Sequence, residues 1–228
     1  MTSSSPPLDY RSFALRGKIR PGEIPRKGRR GHERSDEVRK LTLFMHASLD
    51  GFAAGPHGEM DWIAINEETF DYVERRTSQA DTALYGRVTY QMMESYWPTA
   101  ADQPGATKHD IQHSRWYKQA KKVVLSRSMK GANLPNTRIV SDDAAGAIKG
   151  LKEELGSEIL IFGSPTASHA LMAAGLIDSY WLFVNPVLLG RGIPVFEGIK
   201  DQAELKLGES KVFPSGVVAL QYDLRKDR

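Results

Sequence analysis

The sequence predicts an α/β fold: a mixed, mostly parallel sheet flanked by helices and finished by an antiparallel β-hairpin. Three observations predict it. From residue 40 onward, short β-type runs alternate with segments of helical spacing. The runs are bounded by glycine, proline and capping residues rather than by long linkers. The last 25 residues read as two successive β-type runs, which beside a parallel sheet marks an antiparallel edge.

Residues 40–47 (KLTLFMHA) form the first strand, which runs into the turn Ser48-Leu49-Asp50-Gly51. Asn66 can cap a helix whose first turn carries Glu67 and Glu68, where carboxylates suit the positive helix end. Phe70 and Val73 give that helix its apolar stripe. Residues 82–85 make a short strand broken at Gly86, and residues 122–125 make another that ends in Ser126-Arg127-Ser128. Ser141 is placed to cap a helix carrying Ile148, Leu151 and Leu155 on one face, stopped by Gly156. Residues 158–162 (EILIF) are a buried strand. Gly163 breaks it, Ser164 caps the next helix, Pro165 takes its first position and Gly175 ends it. Residues 179–184 are a further strand, closed by Asn185-Pro186, and the hairpin pairs residues 203–207 with 217–224. Segments 52–66 and 97–118 read as loops that shape a pocket.

The net charge of +3 divides unevenly. Residues 1–40 carry 11 Lys+Arg against 5 Asp+Glu, and the other 188 hold 20 against 23. Basicity therefore belongs to residues 1–39, a Ser-, Pro-, Gly- and Arg-rich stretch expected to be a flexible, solvated extension. The folded domain is expected over 40–228. Such a distribution is poor ground for nucleic-acid binding, although Arg26-Lys27-Gly28-Arg29-Arg30-Gly31 could touch phosphates and Phe13-Ala14-Leu15 could anchor on a partner subunit. The chain has no cysteine, which excludes disulfides, thiolate metal sites and cysteine nucleophiles. No apolar run approaches the roughly 20 residues of a membrane span, and the N-terminus lacks the apolar core of a secretory leader. A cytoplasmic location is expected.

No Walker A, GxSxG or HExxH motif is present. Gly190-Arg191-Gly192 begins like a dinucleotide fingerprint but lacks the third glycine and a following helix. His109 and His113 are spaced to share a helix face, yet no third ligand stands nearby, so they are expected to face solvent and no metal is expected. Tyrosines and tryptophans are expected mainly in the core. Two strand-to-helix junctions carry more information. In Leu84-Tyr85-Gly86-Arg87-Val88-Thr89-Tyr90, a glycine at a strand's carboxyl end lets backbone approach a ligand, while Arg87 and Thr89 add charge and donors beside free amides. Ile161-Phe162-Gly163-Ser164-Pro165-Thr166 repeats that logic. Two anion-binding junctions on one sheet suit the pyrophosphate of a dinucleotide, and Ser126-Arg127 offers the kind of cation that selects a 2′-phosphate.

Four blocks, Ser48-Leu49-Asp50-Gly51-Phe52-Ala53-Ala54, Gly58-Glu59-Met60-Asp61-Trp62, Gly86-Arg87-Val88-Thr89-Tyr90 and Leu125-Ser126-Arg127, resemble successive segments of the dihydrofolate-reductase-like superfamily. More narrowly they resemble its branch related to the reductase domain of the bifunctional riboflavin-biosynthesis deaminase-reductase. The most specific likeness is Gly175-Leu176-Ile177-Asp178 followed by Asn185-Pro186-Val187-Leu188-Leu189-Gly190-Arg191-Gly192-Ile193-Pro194-Val195-Phe196. It covers about residues 40–225.

The resemblance implies a dihydrofolate-reductase-like fold, bound NADPH and a homodimer. Gly86, Arg87 and Thr89 would meet phosphates, Ser126 and Arg127 the adenosine end, and Gly163, Ser164, Pro165 and Thr166 the pyrophosphate. The nicotinamide would lie near the Ser48–Trp62 loop. Asp50 and Glu67 become candidates for supplying a proton or holding an amide edge of the substrate, and Trp62 for stacking on it. Glu67 also has a plainer reading as helix N-terminal charge, and Trp62 as a loop anchor. The chain departs from its relatives with Ser164 in place of a second glycine and Ser179 in place of an acid. The zinc-deaminase signature needs two cysteines, so no deaminase half is expected. The expected function is NADPH-dependent reduction of a small pterin-, pyrimidine- or flavin-precursor-like molecule. The alternative is a non-catalytic NADP-binding or redox-sensing protein, and a nucleic-acid binder using the basic tail is weaker still.

Overall fold

A computed structural model describes residues 38–225. Of the basic extension read over 1–39, residues 1–37, with the expected phosphate and subunit contacts, lie outside the described residues. Arg39 is buried, its guanidinium donating to Thr82 Oγ1 (2.7 Å) and the Ser157 carbonyl (2.7 Å) and pairing with Asp81.

In chain order the elements are β1 (Leu41–Ser48), β2 (Phe52–Ala54), α1 (Glu67–Thr77), β3 (Ala80–Gly86), α2 (Arg87–Tyr96), α3 (Lys108–Gln119), β4 (Lys121–Leu125), β5 (Thr137–Val140), α4 (Ala144–Glu153), β6 (Glu158–Phe162), α5 (Pro165–Ala173), β7 (Ser179–Asn185), β8 (Ile193–Pro194), β9 (Leu205–Val212) and β10 (Val218–Leu224). The main sheet runs β5-β4-β3-β6-β1-β7-β10-β9. All pairs from β5 to β7 are parallel, and β10 is antiparallel to both β7 and β9. This is the expected mostly parallel sheet flanked by helices, with its C-terminal antiparallel hairpin.

Burial on both faces explains why the central strands are continuous apolar runs. Leu41, Leu43 and Met45 join Ile159 and Ile161 on one face, under Ile148 and Leu151 of α4 and Leu171 and Met172 of α5. Leu160 and Phe162 join Ala83, Tyr85 and Val124 on the other, under Trp116 and Tyr117 of α3. Near β7 and β10, Tyr72 and Val73 of α1 cover Trp181, Phe183 and Ala219.

Several sequence expectations shift. Residues 97–118 contain a 3-10 turn (Ala100–Asp102) and most of α3, opened by a capping box in which the Thr107 hydroxyl and Asp110 carboxylate bond each other's amides. The cap of α4 is Asp143, whose side chain accepts from the Gly146 amide at 3.0 Å, while the Ser141 hydroxyl turns to Asp142. Leu155 falls beyond α4 and is 90% exposed, outside the expected stripe. The hairpin's first arm, read as 203–207, begins at Leu205 and reaches Val212. Strands β2, β5 and β8 were not foreseen; each is four residues or fewer. Among the described residues no helix is long and apolar enough to cross a membrane.

Parallel register aligns the carboxyl ends of four neighbouring strands. Gly86 faces Leu125 across β3 and β4, Leu125 faces Val140 across β4 and β5, and Leu84 faces Ile161 across β3 and β6. Each of these strands feeds a loop or helix on the same edge, and there the cleft opens.

Candidate active site

A cleft of about 1560 Å³ runs along that edge. Every residue proposed from sequence for cofactor binding lines it: Gly86, Arg87, Thr89, Ser126, Arg127, Gly163, Ser164, Pro165 and Thr166. The two glycine junctions touch. The Gly86 amide donates to Ser164 Oγ at 2.9 Å, and the Ser164 hydroxyl donates to the Phe162 carbonyl at 2.9 Å. Serine in place of a second glycine therefore bolts one junction to the other.

One expectation changes here. The Gly86 amide is taken by Ser164, and the Gly163 amide donates to the Phe44 carbonyl at 2.8 Å, so neither glycine amide is free to grip an anion. The open donors lie one step on. Neither α2 nor α5 has a side-chain cap, and Pro165 at the head of α5 has no N–H. First-turn amides of α2, and those of Thr166 and Ala167, are left for a ligand. Gly163 and Ser164 adopt consecutive left-handed conformations (φ 51° and 53°), which swing the chain from β6 into α5. Arg87 and Arg127 stand exposed on this wall, whereas the turn leading into α4 presents Asp142 and Asp143. The arrangement fits an elongated polyanion, with positive helix ends and two guanidiniums along one track.

The three remaining candidates are placed elsewhere. Asp50 is a clip. Its carboxylate accepts from the Ser48 hydroxyl (2.6 Å) and the Leu189 (3.1 Å) and Gly190 (2.7 Å) amides, tying the first turn to the Val187–Gly192 loop. The Ser48 hydroxyl and those amides hold its pKa below the ordinary carboxylate range. A carboxylate so occupied and absent from the cleft wall is not placed to donate a proton to substrate. Glu67 is exposed in the first turn of α1 and outside the cleft wall, which corrects its expected substrate role and leaves helix-end charge. Trp62 donates its indole N–H to the Glu59 carbonyl at 3.0 Å; it anchors the loop, while its neighbours Asp61 and Ile63 line the cleft.

Gly190-Arg191-Gly192 also proves structural. A Cβ on Gly192 would strike the Ala54 carbonyl, because β8 pairs closely with β2. Asp178 of the Gly-Leu-x-Asp motif accepts from the Leu41 amide (2.9 Å) and from Lys152 (2.5 Å), fixing the start of β1.

The other end of the cleft was missed. Phe44 and His46 of β1, Thr69, Phe70 and Val73 of α1, Met92 and Met93 of α2, Trp97, and His109 and His113 of α3 wall it. The histidines were expected in solvent; they are 9% and 6% exposed. His109 stacks on Phe70 with centroids 3.7 Å apart, and His113 lies 4.2 Å from Trp97. The helix turns both inward together with Trp116 and Tyr117, a 109–113–116/117 stripe that is apolar only if histidine is counted as an aromatic. Burial, reinforced by the neighbouring His113, lowers the pKa of His109 to about 4, and burial alone takes His46 to about 4. Asn185, fully buried, accepts from the Ala64 amide at 2.9 Å and donates to the Phe183 carbonyl at 3.0 Å, holding the 52–66 loop against the sheet. Among the described residues no cluster of three or more His, Cys, Asp or Glu could hold a metal ion.

Known proteins share this architecture. The family described as the RibD C-terminal domain matches residues 39–219. The uncharacterized protein YyaP of Bacillus subtilis (strain 168) is 31% identical over 189 residues, 81% of this chain and 94% of its own length. The diaminohydroxyphosphoribosylaminopyrimidine deaminase/5-amino-6-(5-phosphoribosylamino)uracil reductase of Thermotoga maritima superimposes with a TM-score of 0.59 at 15% identity, covering 83% of this chain and 58% of that one. Dihydrofolate reductase of Enterococcus faecalis, complexed with NADP(H), does so with a TM-score of 0.56 at 12% identity, covering 82% and 97%. Sequence blocks, sheet order and family match agree across the described fold, and the chain belongs to the RibD C-terminal domain family.

Proposed function

We propose that the protein is an NADPH-dependent reductase of a small pterin-, pyrimidine- or flavin-precursor-like molecule. One observation carries the reading: two side-chain-uncapped helix starts, those of α2 and α5, are bolted together by the Gly86–Ser164 hydrogen bond and flanked by Arg87 and Arg127 on one cleft wall. The fold neighbour from E. faecalis, a reductase complexed with NADP(H), and the named reductase of T. maritima support it.

NADPH would supply the hydride. The chain's own residues do the rest. Amides of the first turns of α2 and α5, with Thr89 and Thr166, hold the diphosphate, and Arg87 adds charge to it. Ser126 and Arg127 hold the adenosine end, with Arg127 as the cation for a 2′-phosphate. The apolar wall of Phe44, Ile63, Ile65 and Phe70 excludes water from the reacting carbon. The folded domain over 40–228, a cytoplasmic location and a homodimeric state belong to the same proposal.

Thermal melting of the full chain tests it. NADPH should raise the melting temperature, by the equivalent of about 2.7 kcal/mol at a hundredfold excess over Kd. Arg127→Ala should weaken NADPH binding about tenfold while leaving NADH nearly unchanged. No NADPH stabilisation overturns the cofactor assignment, equal losses for both nucleotides overturn the role of Arg127, and binding without turnover of any pterin or pyrimidine favours the redox-sensing alternative.

A further inference from the structure

Reduction of a small molecule asks for a polar group at the bond being reduced, and the fold has removed two candidates for it. Asp50 is tied to the Leu189 and Gly190 amides, and Glu67 stands outside the cleft wall. Thr69 lines the cleft, but its hydroxyl donates to Asn66 Oδ1 at 2.8 Å. Near the carboxyl end of β1, the partly buried His46 lines the same cleft. Its ring lies beside Phe44 and Phe183, with centroids 5.8 and 5.1 Å away.

The surroundings of His46 decide which of its nitrogens carries the proton. Asn185 faces it from β7, and the orientation of the Asn185 amide is fixed. Its Oδ1 accepts from the Ala64 amide at 2.9 Å, and its Nδ2 donates to the Phe183 carbonyl at 3.0 Å. The group turned to His46 Nδ1, at 3.4 Å, is therefore the donor Nδ2. A donor opposite Nδ1 makes that nitrogen the acceptor and puts the ring proton on Nε2. Nε2 makes no hydrogen bond among the described residues and is not sealed from solvent, so its N–H opens to the cleft that the side chain lines. Burial keeps the ring neutral, lowering its pKa from 6.5 to about 4.

We infer that His46 is a catalytic residue of the reduction, an imidazole set by Asn185 so that its Nε2–H donates to the oxygen or nitrogen of the C=O or C=N bond being reduced. The inference rests on the reductase reading and adds the group that polarises the substrate. As hydride reaches the carbon, oxidising the nicotinamide that supplied it, the π pair of the double bond moves to the oxygen or nitrogen. A proton from water then completes the new O–H or N–H bond. His46 keeps its own proton throughout and stabilises the charge that gathers on that atom, as a preorganised neutral donor can. Asn185 touches no reacting atom and is a positioning residue.

The experiment has two arms on the full chain. The first is nitrogen NMR of the histidine side chains at neutral pH, with the His46 signals assigned by their loss in His46→Phe. The native chain should show the Nε2–H tautomer, and an Nδ1–H tautomer overturns the inference. Asn185→Asp, which puts an acceptor opposite Nδ1, should move the proton to Nδ1 or charge the ring. A loss of stability in that variant without a change at His46 overturns the positioning role, and the native tautomer decides the point if the variant does not fold. The second arm follows NADPH-dependent reduction of two probes, 6,7-dimethyl-7,8-dihydropterin and 5-amino-6-(5-phosphoribosylamino)uracil. His46→Phe, which keeps a ring beside Phe44 and Phe183, should lower kcat about a hundredfold with KM little changed. His46→Gln, which keeps an N–H donor, should recover part of that loss, and the NADP+-induced rise in melting temperature should persist in both. A native kcat in His46→Phe overturns the inference. Failure of NADP+ to bind the native chain, or binding without turnover of either probe, is a different result, which brings down the reductase reading and the inference with it.

Discussion

Asp50 shows how a residue can be recognised and still be misread. The turn Ser48-Leu49-Asp50-Gly51 marks the carboxylate as special, but its partners, the Leu189 and Gly190 amides, lie about 140 residues further along. Nothing local tells a clip from a proton donor. Asp50→Ala should lower the urea midpoint and loosen the 187–192 loop, while the acid limb of a kcat pH profile stays where it was. A shift of that limb with an unchanged midpoint would restore Asp50 to the chemistry. That the residues at the two glycine junctions line a cleft was legible for the opposite reason: glycine, arginine and hydroxyl side chains within four positions of a strand end describe their own surroundings. Even there the acceptor of the Gly86 amide, Ser164 Oγ, is 78 residues away, so which amides remain open was not.

Elements with a strong apolar period could be read, and those without one could not. β1, β6 and β7 are buried on both faces and announce themselves as runs such as EILIF. α3 does not, because its inward face is His109, His113, Ser114, Trp116 and Tyr117, residues that a hydropathy pattern scores as mixed or polar. The short pair β2–β8 had no pattern to show, yet its geometry is exacting. Gly192, with φ of 158°, lies against the Ala54 carbonyl. Gly192→Ala should therefore destabilise the fold by about 1–3 kcal/mol, read from chemical denaturation, and should weaken ligand binding because β2 opens the loop that lines the cleft. A neutral result would mean that the β2–β8 contact yields easily.

At the scale of the whole molecule, strand order was the least legible feature. Pairing β3 with β6 and β1 with β7 joins segments far apart in sequence, and that pairing alone brings the two glycine junctions together. The same closure buries His46 and His109, whose pKa values fall from 6.5 to about 4. His109 faces His113, Glu74, Asp110 and Asp71; desolvation outweighs the carboxylates among them. Unfolded histidine takes up a proton below 6.5 and the folded form resists until about 4, so stability is full above 6.5 and should fall progressively across that window. Each unit of displacement is worth about 1.4 kcal/mol, enough to lower the melting temperature by several degrees. His109→Phe, which keeps a ring against Phe70, should flatten part of the slope; an unchanged slope would assign the loss to other groups. The chain has no cysteine but seven methionines, and Met45, Met60, Met92 and Met93 line the cleft. With no thiol to intercept peroxide, oxidant reaching the cleft is directed to thioethers, and of these four Met60 and Met92 are the accessible ones at 41% and 43% exposure. Sulfoxide there would place polar oxygen in a greasy channel, so the cleft proposed to shelter a hydride is also where oxidative ageing would begin.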